Sequence, residues 1–368
     1  MAWKEARRAS ENEQADAHRR RGRGAVSNAA GRFEPERREH FDDGWESLGE
    51  LEPFKTEVRE ETVKSVISYN RSPDLGFDRS INPYRGCEHG CIYCYARPSH
   101  AYWGYSAGLD FETKLTAKVN AAEVLERELS RPGYSPATAM LGANTDAYQP
   151  IERERRITRR ILEVLDKFSH PVSIATKSAL VVRDLDILSR LARRGLVKVT
   201  LSVTSLDRRL ARGMEPRAST PGKRIEAIRR LAAAGVPAGV LTAPLIPALN
   251  DHEMERILEA CALAGASEAG YVLLRLPLEI SPLFQEWLQA EHPGRARRVM
   301  SLVRFTRAGK DYVSRFGERQ TGTGAYAEQI AARFRLALKR YGLNRPNLTL
   351  RTDLLRQPLP KQLTLFDP

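Results

Sequence analysis

Short apolar runs alternate with longer amphipathic stretches from about residue 79 to residue 276. The runs at 79–83, 137–142, 172–176, 197–203, 238–243 and 271–276 have the length and turn-bounded character of strands. Helical spacing fills 151–168, 184–193, 221–234 and 251–265. In the first of these Ile157, Ile161, Leu162 and Leu165 recur every three or four residues, which puts one face on a core. Strand and helix units joined in one direction build a parallel sheet covered by helices, so the class is α/β. The pattern alone does not separate an open sheet from a curved one.

Further helical patterns at 295–316 and 325–341 either cover the open side of such a sheet or form a docked lobe. Residues 1–45 are polar and poor in large aliphatics and carry the run Arg19-Arg20-Arg21-Gly22-Arg23. They read as a disordered basic arm, solvated or touching phosphates nonspecifically. The resulting organisation is an arm at 1–45, a core with its lead-in at 54–285, a helical extension at 286–350 and a flexible tail at 351–368.

Composition narrows the setting. With 42% hydrophobic and 29% charged residues, the 368-residue chain reads as soluble and globular. It has no apolar run of about 20 residues, and Met1-Ala2-Trp3-Lys4 lacks the apolar core of an export signal. A membrane partner is not expected. Four cysteines, three of them clustered, do not make a disulfide framework, and a reducing cytoplasm is the expected home. A formal net charge of +13 suits a polyanionic partner such as nucleic acid, or simply a basic proteome.

The chemistry is concentrated in Cys87-Glu88-His89-Gly90-Cys91-Ile92-Tyr93-Cys94. Its spacing lets three thiolates converge from one loop, and an iron-sulfur cube held by three ligands keeps one iron open to a small molecule. Structural zinc, with His89 or Cys261 as fourth ligand, is the competing reading, but the chain has no second close cysteine pair. A redox pair of Cys91 and Cys94 leaves Cys87 without a role.

With an aromatic just before the last cysteine, this loop resembles the signature of the radical S-adenosylmethionine superfamily. The flanks Asn82-Pro83-Tyr84-Arg85-Gly86 and Tyr95-Ala96-Arg97 are similar to the branch that contains spore photoproduct lyase and bacterial relatives. The resemblance implies a partial (β/α)6 TIM-like barrel over roughly residues 75–285, with the C-terminal helical extension outside it. It also implies a [4Fe-4S] cluster on Cys87, Cys91 and Cys94, and S-adenosyl-L-methionine bound at the open iron through its amino and carboxylate groups. An external electron donor would then generate a 5'-deoxyadenosyl radical.

Strand ends supply the remaining candidates. Asn144 or Asp146, after the second strand, is expected to hold the methionine amino group, although the family's paired glycines and acidic residue are not matched there; a capped turn leading into the next helix is the alternative. Lys177 matches a lysine that approaches the cofactor carboxylate in spore photoproduct lyase, and Arg217 competes for that duty. Ser202 or Thr204 would meet the ribose, and Tyr271 and Arg275 are substrate-side candidates. Asp251 reads as a helix cap. Spore photoproduct lyase uses a cysteine as hydrogen donor; Cys261, amid small apolar residues, reads instead as core packing.

The tail ends in Gln362-Leu363-Thr364-Leu365-Phe366, which resembles the pentapeptide that docks bacterial polymerases and repair proteins on the DNA sliding clamp. The alternative is that its apolar residues fold back on the parent core. A radical enzyme acting on nucleic acid is the leading expectation. A radical enzyme modifying a protein or small molecule, and a zinc-bearing adaptor without catalysis, are the alternatives.

Overall fold

The structure, a computed structural model, describes residues 20–34, 53–344 and 348–357. The terminal pentapeptide lies outside these residues. A seven-stranded sheet has the order β10-β9-β8-β7-β6-β3-β2. Its strands are β2 (Ile67–Tyr69), β3 (Arg79–Ile81), β6 (Ala139–Leu141), β7 (Val172–Thr176), β8 (Val197–Ser202), β9 (Ala238–Leu245) and β10 (Glu268–Leu273). All neighbours pair in parallel except β2, which runs antiparallel to β3. A smaller sheet places β5 (Lys114–Lys118) between β1 (Glu57–Glu61) and β4 (Tyr84–Arg85).

All six expected strands are present within this sheet. The last begins at Glu268 rather than 271 and ends at Leu273, so Arg275 lies beyond the strand. The helical stretch at 151–168 is two helices, Glu152–Arg155 and Ile157–Lys167, because Arg156 takes a left-handed conformation between them. Ile157, Ile161, Leu162 and Leu165 all face the core. The pattern at 295–316 forms the helix Pro293–Phe305 and then leaves helical structure, while Ala325–Tyr341 has the expected bounds.

Among the described residues two larger bodies of buried apolar residues stand beside a small one around Cys87, Ala96 and Phe111. One of the larger two lies between the sheet and its helices. The other gathers Ile92 and Tyr93 of the cysteine loop, Ala25 and Val26, and Phe284, Trp287, Val299 and Val303 of the helices Ile280–Glu291 and Pro293–Phe305. The expectation of a disordered arm across 1–45 is corrected here for residues 20–34. Gly24 and Ala25 donate their amides to the buried Glu112 carboxylate (2.9 and 2.8 Å), and Ser27 Oγ donates to Glu286 (2.6 Å). A Cβ on Gly24 would fall 1.9 Å from the Gly90 carbonyl oxygen, so only glycine lets the segment lie this close. Main-chain groups satisfied by one carboxylate, rather than hydrophobic periodicity, order this stretch.

The two edges of the main sheet are also tied. Leu273 donates its amide to Gln320 (2.8 Å) in the loop between the last two helices, and Arg319 of that loop pairs with Asp74 (2.5 Å) in the β2–β3 turn. Gly317 N donates to the same carboxylate (2.8 Å). The C-terminal extension therefore bridges the open side of the sheet.

Candidate active site

The cysteine loop follows β3 and meets loops leaving β6, β7, β8 and β10, all at the carboxyl ends of parallel strands. Arg97 fixes its backbone from beneath. This fully buried guanidinium donates to the carbonyls of Cys91 (2.8 Å), Gly90 (3.1 Å), Ala107 (3.0 Å) and Gly108 (2.9 Å), and pairs with Glu112. Gly90 has a φ of 68°, and a Cβ there would strike the Glu112 carboxylate. Ile92 N donates to Met214 O (3.0 Å), fastening the loop to the helix Arg208–Met214.

Cys87 and Cys91 are buried and Cys94 is partly exposed; all three are free thiols. Burial pushes the Cys87 thiol well up, and the Asp146 carboxylate and the other two thiols push it further. Burial likewise raises Cys91, against the pull of the Lys177 ammonium. These two buried groups are costly as bare thiolates, and a cationic iron centre would supply the positive charge they require. The donor set therefore fits a cluster held by Cys87, Cys91 and Cys94. Among the described residues no three His, Cys, Asp or Glu side chains close around a single metal ion.

Asp146 stands beside this loop with its carboxylate occupied. Thr176 Oγ1, Lys177 N and Tyr148 N donate to it (2.7, 2.7 and 2.8 Å), and His89 Nδ1 lies 3.3 Å away. Burial alone would raise its pKa, but His89 and these donors bring it down to about 2. His89 therefore faces Asp146. Asn144 is exposed on the rim, its amide held by Asn82 Oδ1 (2.9 Å).

Lys177 places its ammonium 5.7 Å from the centre of the Tyr93 ring, next to the cysteine loop. Arg217 is held against the same loop, its guanidinium pairing with Glu88 and donating to Gly22 O (3.3 Å), and its amide donating to His89 O (3.3 Å). The two competitors for the carboxylate duty thus stand in different settings, Lys177 beside the Cys91 thiol and Arg217 paired with Glu88 of the loop. Ser202 is buried at the end of β8 and its carbonyl accepts from Arg224 (3.0 Å). Thr204 donates to Glu215 (2.6 Å), which also accepts from the Tyr93 hydroxyl and pairs with Arg224.

Glu215, Arg224, Arg97 and Glu112 were not recognised as site residues in the sequence. Buried arginines and glutamates follow no hydrophobic period, and their sequence separation hides their pairing. Tyr271, a substrate-side candidate, packs on Phe334 (4.7 Å between ring centroids), whereas its companion Arg275 lies next to the cysteine loop. Arg275 stacks over Tyr95, whose hydroxyl donates to Ala143 O. Asp251 accepts from the Tyr326 hydroxyl (2.6 Å) and anchors the last helix instead of capping its own. Cys261 lies in the main core, where burial raises its thiol to about 12.

The radical SAM superfamily model matches residues 81–261, spanning the cysteine loop and the strands that surround it. An uncharacterized protein of Mycobacterium tuberculosis is 37% identical over 62% of this chain and 68% of its own length. One of Methanocaldococcus jannaschii is 30% identical over 69% and 90%. The chain belongs to the radical SAM superfamily.

Among solved structures, this radical SAM chain shares its fold with spore photoproduct lyase complexed with dinucleoside spore photoproduct. The TM-score is 0.55 at 15% identity, covering 77% of this chain and 79% of that one. A variant of that lyase with bound AdoMet and the same photoproduct gives 0.50 at 15% identity, covering 77% and 78%. Both comparisons agree with a partial barrel, and the parallel sheet with β10 and β2 at its edges is that architecture. Among the described residues no helix is long and apolar enough to cross a membrane.

Proposed function

We propose that this protein is a [4Fe-4S]-dependent radical S-adenosylmethionine enzyme that repairs or modifies nucleic acid. Three free thiols on one loop, two buried and one partly exposed, at the carboxyl ends of a parallel sheet carry the reading. When bound, the cluster supplies the electron that splits S-adenosylmethionine into methionine and a 5'-deoxyadenosyl radical. The chain's own part is to hold the reactants. Lys177 offers an ammonium to the methionine carboxylate, Arg97 and Glu215 keep the loop rigid, and Ser202 offers a hydroxyl towards the ribose.

The polyanionic substrate rests on the net charge of +13 and on the fold shared with spore photoproduct lyase complexed with dinucleoside spore photoproduct. Cys261 is sequestered in the main core, which favours a reaction other than the one that uses a cysteine donor. The terminal pentapeptide Gln362-Leu363-Thr364-Leu365-Phe366 would bring the enzyme to the sliding clamp, with Leu365 and Phe366 as apolar anchors.

The test is anaerobic reconstitution, reduction and incubation with a panel of damaged and modified DNA and RNA oligonucleotides. The expected result is 5'-deoxyadenosine formation accelerated by one class of oligonucleotide, with a matching altered nucleoside. Cleavage that no nucleic acid accelerates, but a protein or small molecule does, would reverse the substrate assignment. Calorimetry with purified clamp tests the tail: replacing Leu365 and Phe366 by alanine should abolish binding.

A further inference from the structure

Two neighbouring guanidiniums, Arg275 and Arg307, form no ion pair among the described residues. Arg275 leaves the end of β10 and lies between two tyrosine rings, 5.6 Å from the centre of Tyr95 and 6.0 Å from that of Tyr312. Among the described residues it pairs with no carboxylate, and its Nε is buried without a partner. Next to it Arg307 is buried and, among the described residues, bonded only to carbonyls, those of Glu318 (2.8 Å), Leu274 (3.0 Å) and Leu273 (3.2 Å). Burial and the neighbouring Arg275 together bring the Arg307 pKa down to about 10.

Other arginines of this site are neutralised: Arg97 by Glu112, Arg217 by Glu88 and Arg224 by Glu215. The pair at the mouth is the exception. An arginine stacked on aromatic rings loses little freedom when it binds, and its planar fork suits the oxygens of a phosphate. Tyr95 immediately follows Cys94 and is half exposed, so a group held by Arg275 would lie beside the cysteine loop.

Resting on the nucleic-acid reading above, we propose that Arg275, framed by Tyr95 and Tyr312 and backed by Arg307, binds a backbone phosphodiester of the polynucleotide substrate. The ring faces of the two tyrosines hold the guanidinium at the rim, and Arg307 adds a fixed positive charge behind it. The contact positions the strand so that a neighbouring nucleotide reaches the site, and it carries no base specificity of its own.

The experiment measures binding of a labelled single-stranded DNA of about a dozen nucleotides, and of the matching RNA, across a salt series. The protein is the reconstituted full chain, with iron content at the wild-type level as the check on folding. Arg275→Gln should weaken binding of the preferred strand about tenfold and lower the slope of log K against log salt by about 0.7, one single-strand phosphate. Arg275→Lys should keep the slope. If Arg275→Gln binds like wild type, or more weakly with the slope unchanged, the phosphate site is overturned while the nucleic-acid reading stands. A raised KM for S-adenosylmethionine with oligonucleotide affinity untouched overturns it differently, assigning Arg275 to the cofactor carboxylate. Wild-type protein that binds neither strand overturns the reading and the site together.

Discussion

Arg97 Nη2 lies 2.6 Å from Glu112 Oε1, and neither side chain is exposed to solvent. The same carboxylate accepts the Gly24 and Ala25 amides, and the same guanidinium holds the Gly90 and Cys91 carbonyls. One ion pair therefore couples the N-terminal segment to the cysteine loop. Removing one partner leaves the other buried and unpaired, which costs about 3–5 kcal/mol. Arg97→Met and Glu112→Gln should each lower the unfolding midpoint and reduce bound iron, with Arg97→Met the more severe. Denaturant unfolding and iron assay check this; wild-type values for Arg97→Met would refute the coupling.

The cysteines should divide three to one. Alanine at Cys87, Cys91 or Cys94 is expected to abolish the visible absorption of the reconstituted cluster. Alanine at Cys261 should leave iron content unchanged and cost about 1 kcal/mol of stability through a small cavity. Full iron retention in the Cys91 variant would rule out its place as a ligand.

Lys177 and Arg217 should separate kinetically. Lys177 lies over Tyr93 beside the thiols, whereas Arg217 is engaged by Glu88 and Gly22. Lys177→Met is expected to raise the KM for S-adenosylmethionine about tenfold, the effect of losing one charged contact. Arg217→Met should act mainly on stability. The opposite ranking would transfer the carboxylate contact to Arg217.

The site was legible where chemistry follows spacing and strand order, and illegible where it follows buried charge. Three cysteines in eight positions stand out in the sequence, and the expected strand ends bearing Asp146, Lys177 and Ser202 lie at the same edge of the sheet as that loop. Arg97 and Glu112 carry no periodic signal, and the stretch around Gly24 looked like a solvated arm because its order comes from amides meeting a distant carboxylate. Tyr271 and Arg275 could not be sorted without the strand's true end at Leu273. Arg217 was placed in the right neighbourhood, but its partner Glu88 belongs to the cysteine loop.

Acid should destabilise the fold through His170. Its Nε2 meets the Tyr134 hydroxyl (2.8 Å) and its Nδ1 the Pro171 carbonyl (3.0 Å), contacts satisfied by the neutral ring protonated on Nδ1. Burial lowers its pKa from 6.5 to about 4. Between these values the unfolded chain binds more protons than the folded one, so stability falls as pH drops, by up to about 1.4 kcal/mol per pH unit. His170→Gln should flatten the pH dependence of unfolding between pH 6 and 5 relative to wild type. An unchanged slope would show that the ring protonates freely in the folded protein.

The second core has a consequence for synthesis. Ile92 and Tyr93 are packed by residues from both ends of the chain, including Trp287 and Val303. A ribosome needs about 10–40 s to make the roughly 200 residues that separate the cysteine loop from those helices. Throughout that interval the thiols sit on a loop lacking part of its apolar support, exposed to oxidants and to the wrong metal. Iron insertion is accordingly expected only after the second core closes, and stalled nascent chains ending before residue 280 should carry no cluster when isolated anaerobically. On that expectation the protein's competence is decided near the end of translation, long after the three cysteines have left the tunnel.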